Sequence, residues 1–534
     1  MSKKILLYIL LGLVFVGLIF SYFYDIFHYD YAVPPGDDPI RHMTAAKYIL
    51  DHQELRVYAA SEAFDPPTFH ILLATIANLT GGNIVSVTKY FVPFLCILAI
   101  FGIYFITKIS FGSKRAAITA LIFFGFYVPQ LKQIYGDGTY LNIISALYLL
   151  VMTLIALIIY LNQKDKIFSP SLGLALIFAV AVFLSHSLSA IYLVFTLIIA
   201  TVLVILLRKK ELIKKILTFD IISAILFLPL TWNFYTKGTI MGILYALGIV
   251  QPTESVLAGL PAMFTTPATL NLNNYSKYTG IIVIMFFFLG LVLILKKYKH
   301  APNLILLGWT LALFIGSRSS FFQLPHRYAR DLAMPITIIA AYAIYHSFLY
   351  ISSRHRRYLV ISIFAVLLGT LIVGNLTAAT GYNHMIRVQK SDEQAMAWIR
   401  NNTEADDVIL GMPLTIVAGG WGSFINLLTD RTVLDGNACP EGDDGKCDPI
   451  YDPNSEISRQ FYHDNSIDYV YAGKQMLGGH VSKHEMDWSY QKELTRADFL
   501  TKIAEFKEEE YPYLGNVKIF RVDERKLLEN NPAN

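Results

Sequence analysis

KKILLYILLGLVFVGLIFSYFYDIFHYDYAVPPGDDPIRH, residues 3–42, sets an uncharged apolar run beside a carboxylate pair. Residues 5–23 carry no ionisable acid or base other than tyrosine, and the run is long enough to cross a bilayer core. It is rich in Tyr and Phe at its end and lacks a small-residue cleavage site, so it reads as a retained anchor. Lys3 and Lys4 precede it, which places the N-terminus in the cytoplasm and Asp37-Asp38 just beyond the outer surface.

The rest of the chain repeats this pattern. Of 534 residues, 54% are hydrophobic and 16% charged, against about 25% charged in soluble domains. A cytosolic enzyme and a disordered or fibrous chain are excluded. About eleven apolar runs are predicted to span, near 5–23, 86–107, 116–129, 141–161, 168–185, 188–207, 216–235, 279–295, 302–317, 332–350 and 358–376. The loops assigned inside are short and basic: Lys108, Lys114 and Arg115; Lys164 and Lys166; Arg208, Lys209, Lys210, Lys214 and Lys215; Lys296, Lys297 and Lys299; Arg354, Arg356 and Arg357. That bias fixes the orientation and puts the tail outside. A formal net charge of only +4, scattered over such loops, argues against nucleic acid as a partner.

The predicted architecture is an α-helical polytopic membrane domain, 1–376, followed by a small soluble extracytoplasmic α/β or α+β domain, 377–534. Two external loops are long, 24–85 and 236–278. The first holds two amphipathic stretches, Asp38–Leu50 and Pro67–Leu79, expected to lie along the interface. In the tail, Ser391–Asn401 reads as a helix capped by Ser391, and Val408–Leu410 and Tyr469–Ala472 read as strands.

Polar groups recur at the level of the outer face. Asp37, Asp38, Arg41 and His42 follow the first span; Asp65 and His70 lie in the same loop. Asp137 stands between the third and fourth spans, His186 between the fifth and sixth, and Glu254 in the second long loop. Arg318, His326, Arg327, Arg330 and Asp331 precede the tenth span. Each alone has a plain structural reading: Gly-Asp-Asp-Pro is good turn chemistry, and Arg at a span end snorkels to headgroups. Their shared depth makes a site. Closely held carboxylates tune one another toward base duty, and guanidinium groups bind phosphate bidentately. Without a Walker loop or dinucleotide fingerprint, the substrate implied is a lipid-linked phosphate.

Asp37-Asp38 followed by Ile40-Arg41-His42 resembles the first-loop acidic motif of the GT-C superfamily of membrane glycosyltransferases, including protein O-mannosyltransferases. The same residues are similar to the motif of the archaeal oligosaccharyltransferase catalytic subunit. Asp137, Gln251-Pro252-Thr253-Glu254, His326-Arg327-Tyr328 and Ala395–Thr403 resemble further elements of that subunit. Its Trp-Trp-Asp-Tyr-Gly element has only Gly419-Gly420-Trp421-Gly422 here.

The resemblance implies a polyprenyl(dolichyl)-phosphate-linked sugar donor, an extracytoplasmic glycan, lipid or protein acceptor, and inversion at the sugar carbon. It implies Asp37 as general base, Asp38 orienting the acceptor, and Arg327 and Arg330 facing the leaving phosphate. Arg41, His42, Asp65, His70, Asp137, His186, Glu254, His326 and Trp421 are the further candidates for substrate contact. A divalent cofactor, Mg²⁺ or Mn²⁺ on Asp37, Asp38 and Asp137, is left open. Transfer of a whole glycan to Asn is the alternative reading; a transporter or a non-catalytic scaffold is the alternative from another class. Cys439 and Cys447 bracket an acidic loop and are a candidate disulfide outside the cytoplasm.

Overall fold

The computed structural model describes residues 3–29, 33–34, 38–53, 67–128, 130, 140–163, 167–235, 272–297, 300–318, 325–350, 355, 358, 362, 388, 390–411, 424–435, 449–450, 452–473, 489–507 and 516–529. Contacts divide the chain into two compact units. The first gathers residues 1–28, 64–69 and 90–381, and the second 29–63, 70–89 and 382–534.

In chain order the N-terminal helices are α1 (Lys3–Tyr29), α2 (Asp38–His52), α3 (Thr68–Thr80), α4 (Ile84–Phe111), α5 (Lys114–Ile122), α6 (Tyr140–Asn162) and α7 (Pro170–Phe183). They continue with α8 (Ser187–Leu206), α9 (Lys210–Tyr235), α10 (Leu272–Thr279), α11 (Ile281–Leu295), α12 (Ala301–Ser317), α13 (Pro325–Asp331) and α14 (Ala333–Tyr350). Among the described residues, α4, α6, α8 and the α13–α14 pair are long and apolar enough to cross a membrane. Shorter apolar helices lie at Leu11–Tyr24, Thr68–Thr80, Pro170–Phe183, Ile281–Leu295 and Ala301–Ser317. The predicted eleventh span, 358–376, lies outside the described residues apart from positions 358 and 362.

In the first unit the helices carry exposed apolar stripes. On α8, Val194, Ile198, Val202 and Ile205 are exposed at helical spacing, while Tyr192, Thr196, Leu197 and Ala200 are buried on the other side. On α11, Ile281, Met285, Phe288, Leu289 and Val292 form a similar exposed stripe. Such stripes would be costly in water and are what a bilayer covers. The inner faces approach closely. A Cβ on Gly290 of α11 would lie 2.3 Å from the Ile339 carbonyl oxygen of α14. One on Gly308 of α12 would meet Ala200 of α8 at 3.0 Å. Small residues let the backbones meet where no hydrophobic driving force operates between helices.

The 116–129 region departs from a simple span. Ser113 caps α5, accepting from the Ala116 amide at 3.2 Å, and the helix then widens into a π-helical segment, Phe123–Tyr127. A second π-helical segment, Ile143–Leu149, interrupts α6 directly after Asn142. Such widened turns recur at functional sites, because they re-aim the side chains beside them.

In the second unit the C-terminal elements are α15 (Lys390–Asn402), β1 (Val408–Gly411), α16 (Phe424–Thr429), β2 (Thr432–Asp435), α17 (Glu456–Asp464), β3 (Tyr469–Ala472), α18 (Ser489–Arg496), β4 (Leu500–Phe506), β5 (Val517–Val522) and α19 (Glu524–Glu529). The sheet order is β2-β1-β3-β5-β4, parallel across the first three strands and antiparallel from β3 to β4. Leu410, Val470, Ala472 and Phe520 of the sheet pack with Phe461, Tyr462, Tyr490, Leu494 and Phe499 into one apolar core. A small mixed-sheet fold is in keeping with the α/β or α+β class expected, with β1 and β3 near their predicted bounds. Ser391 lies inside α15 rather than capping it, because the helix begins at Lys390. The chain is thus an α-helical polytopic membrane protein with a small sheet domain.

Candidate active-site clusters

In the second unit, the acidic first-loop motif runs into α2. Pro39 follows Asp38 in the first turn, where its missing N–H has no intrahelical partner to lose. Ile40, Met43 and Ala46 recur at helical spacing and are fully buried, which fixes the rotation of α2. That rotation also buries His42. His70, in the first turn of α3, is buried as well. The His42 Nδ1 and His70 Nε2 atoms are 2.9 Å apart, with ring centroids 5.0 Å apart.

A hydrogen bond between two imidazole nitrogens needs a donor on one and a lone pair on the other. The facing nitrogens therefore share one proton, and at least one ring is neutral. His42 stands four residues beyond Asp38 on the same helix. Lys47, also on α2, reaches Asp51 at 2.7 Å and Asp430 at 2.8 Å. Burial pulls its pKa down, but hydrogen bonds to Asp430 and Asp51 outweigh that and leave it raised. The contact anchors α2 against the segment that follows α16.

In the first unit, Asp331 is fully buried at the end of α13. Its carboxylate accepts from Gln130 Nε2 at 3.1 Å, Asn142 Nδ2 at 2.9 Å and Arg330 Nε at 3.3 Å. Three donors around one carboxylate compensate a burial that would otherwise be prohibitive. Asn142 is aimed here from the last residue before the π-helical turn of α6. Tyr192 of α8 and Tyr328 of α13 meet edge to face, 4.6 Å between centroids.

His186, at the turn between α7 and α8, belongs to the same neighbourhood. Its Nδ1 is 2.9 Å from Ser189 Oγ, which is 2.7 Å from Ser145 Oγ of the π-helical turn. Burial, then the charges of Arg327 and Arg330, push the His186 pKa down to about 3. It is therefore a neutral hydrogen-bonding group. Buried Arg330 and half-buried Arg327 supply the positive charge, whereas His326 is exposed.

Of the predicted site residues, His42 and His70 are brought together in one unit, and His186, Arg327 and Arg330 in the other. Asp38 and Arg41 are described in backbone only, in the first turns of α2. Asp37, Asp65, Asp137, Glu254, Trp421, Cys439 and Cys447 lie outside the described residues. Gln130, Asn142, Ser145 and Ser189 were missed by sequence reasoning. Their signal was uncharged polarity inside otherwise apolar stretches, which alone does not distinguish a site residue from a helix hydroxyl bonded to its own backbone. Among the described residues, no group of three His, Cys, Asp or Glu has metal-binding geometry.

Solved structures share this fold. The chain aligns with ArnT from Cupriavidus metallidurans, solved bound to undecaprenyl phosphate, at TM-score 0.61 and 11% identity, covering 98% of this chain and 99% of that one. It aligns with the Archaeoglobus fulgidus oligosaccharyltransferase in the apo form at TM-score 0.57 and 14% identity, covering 89% and 70%. The arabinofuranosyltransferase AftD from Mycobacteria gives TM-score 0.51 and 14% identity, covering 98% of this chain and 40% of that one. All three are GT-C glycosyltransferases, and the fold is theirs. No curated protein matches the chain in sequence. Residues 2–415 match the family of unknown function DUF6541, and the chain belongs to that family.

Proposed function

We propose that this protein is a membrane glycosyltransferase of the GT-C type, transferring a sugar from a polyprenyl-phosphate-linked donor to an extracytoplasmic acceptor. The observation that carries the reading is the fold shared along the whole chain with a protein solved on undecaprenyl phosphate. The Asp37-Asp38 pair directly before and at the start of α2, and the Arg327–Arg330–Asp331 cluster, support it.

In the proposed reaction Asp37 takes the proton of an acceptor hydroxyl while that oxygen attacks the sugar C1. The bond from C1 to the donor phosphate oxygen breaks with its electron pair, and polyprenyl phosphate leaves. One displacement inverts C1. Asp38 orients the acceptor. Arg327 and Arg330 stabilise the charge that grows on the leaving phosphate. Asp331, with its three donors, holds the Arg330 guanidinium in place and tempers its charge. Arg41, His42, Asp65, His70, Asp137, His186, Glu254, His326 and Trp421 are assigned to substrate contacts.

Asp37, Asp38 and Asp137 are hard oxygen donors of the kind Mg²⁺ and Mn²⁺ take, and a metal held by them would neutralise phosphate charge. The displacement above does not route through it. The membrane domain is assigned to 1–376 and the extracytoplasmic domain to 377–534, with the N-terminus in the cytoplasm and Cys439 paired with Cys447.

The test is conversion of a synthetic polyprenyl-phosphate sugar to free polyprenyl phosphate by the purified protein, with cell membranes as acceptor source. Product at wild-type level, falling about 10²- to 10⁴-fold in Asp37→Asn, is expected for loss of a general base. Turnover only with a diphosphate-linked glycan, and Asn-linked product, would replace this reading with the oligosaccharyltransferase one. No turnover with either donor would count for a transporter or scaffold.

A further inference from the structure

At the opposite end of the first unit from the outer-face loops, by the loop-charge reading, α6 ends and α9 and α12 begin. The three termini border an open cavity of about 550 Å³. Among the described residues, Lys209, Lys210 and Lys215 line it with Gln163, Glu211 and His300, three lysines to one glutamate. The cavity also receives two helix N-termini. α9 starts at Lys210 and α12 at Ala301, and His300, the residue capping α12, makes no side-chain cap hydrogen bond. The N–H groups and dipole at the start of α9 favour an anion; at α12 Pro302 has no N–H and the Asn303 N–H donates to the His300 carbonyl, so that helix adds mainly its dipole.

Lys215 gives the independent observation. It is 95% buried by residue area, its Nζ donates to the Gln163 carbonyl, and its ammonium lies 5.7 Å from the Tyr160 ring centroid. Among the described residues no carboxylate pairs with Lys215, and a carbonyl and a ring face do not neutralise a buried cation as an anion in the adjoining cavity would.

We infer that this cavity is a binding site for a phosphate group, the headgroup phosphate of an anionic phospholipid in the inner leaflet. Basic pockets between membrane helices on the cytoplasmic side are suited to such headgroups. The site is separate from the proposed transfer chemistry and does not depend on it. A lipid seated there would tie α6, α9 and α12 together at their ends.

The experiment is native mass spectrometry of the purified full-length protein, titrated with dioleoyl-phosphatidylglycerol or dioleoyl-phosphatidylcholine. Wild type is expected to retain phosphatidylglycerol in preference to phosphatidylcholine. In the Lys209→Gln/Lys210→Gln protein the tightest phosphatidylglycerol affinity is expected to fall roughly tenfold or more. Lys114→Gln/Arg115→Gln, in a different basic loop, is expected to leave it unchanged. Thermal unfolding of each variant separates lost binding from lost fold. Displacement of the lipid by millimolar inorganic phosphate at wild-type affinity would assign the site to free phosphate instead. Equal retention in the Lys209/Lys210 double variant, or an equal loss in the Lys114/Arg115 control, would overturn the proposal.

Discussion

Replacing Asp331 by Ala is the perturbation whose cost the geometry defines best. The carboxylate is fully buried and accepts from Gln130, Asn142 and Arg330. Each hydrogen bond to a charged acceptor is worth about 1.5–3 kcal/mol, but the three share one group and do not add. Removing one partner of a buried ion pair costs about 3–5 kcal/mol, which is the better guide here. Asp331→Asn keeps one acceptor oxygen. Its new amide nitrogen has somewhere to go, because Gln130 Oε1 and Asn142 Oδ1 are buried and have no hydrogen-bond partner among the described residues. Rotation of either carboxamide would offer an acceptor, so Asn is expected to cost about 1–3 kcal/mol. The assay is reversible unfolding in mixed micelles titrated with sodium dodecyl sulfate. The Ala variant is expected to shift the equilibrium by about two to three and a half orders of magnitude. A shift under about 1 kcal/mol would refute the view that Asp331 organises this cluster, and Asn worse than Ala would refute the carboxamide rearrangement.

Three further outcomes follow from the geometry. His42→Ala removes the nitrogen that pairs with His70 at 2.9 Å and is expected to cost about 1–3 kcal/mol in unfolding, with His70→Ala adding much less than its own single effect in the double variant. His186, depressed to about 3, contributes stability that is fully present above pH 6.5 and is lost as pH falls toward 3, at up to about 1.4 kcal/mol per pH unit. His186→Gln is expected to flatten the unfolding profile between pH 6.5 and 5, and an unchanged slope would show that His186 is not the group responsible. Gly290→Ala drives a methyl to 2.3 Å from the Ile339 carbonyl oxygen, and the overpacking is expected to lower stability by about 1–3 kcal/mol in the same micelle assay.

The helical membrane architecture was legible because hydrophobic run length is a direct record of the bilayer. The helices at Asp38–His52 and Thr68–Thr80 were readable from amphipathic spacing, and β1 and β3 from short buried apolar runs. β4 was not, because Leu500-Thr501-Lys502-Ile503-Ala504-Glu505-Phe506 sits at the edge of the sheet, carries charge and contains an irregularity between Lys502 and Ala504. The π-helical turns were also invisible, since Ile143–Leu149 has the composition of any apolar helix.

The candidate site divides in the same way. His42, His70, His186, Arg327 and Arg330 stood out as polar groups at the level of the outer face. Their pairings did not, because His42 and His70 are 28 residues apart and Asp331 is bound by partners 201 and 189 residues away. Arg330-Asp331 reads locally as two solvated charges, and only the fold reveals that they are buried.

The central claim is that Asp37 acts as the base of a sugar transfer on the outer face. It is tested most directly by mass spectrometry of surface glycoproteins and glycolipids from cells carrying wild type or Asp37→Asn at matched expression. The account predicts loss of one defined sugar residue in the variant, with the remaining glycan unchanged. Identical glycans and identical lipid-linked pools in the two strains would contradict it.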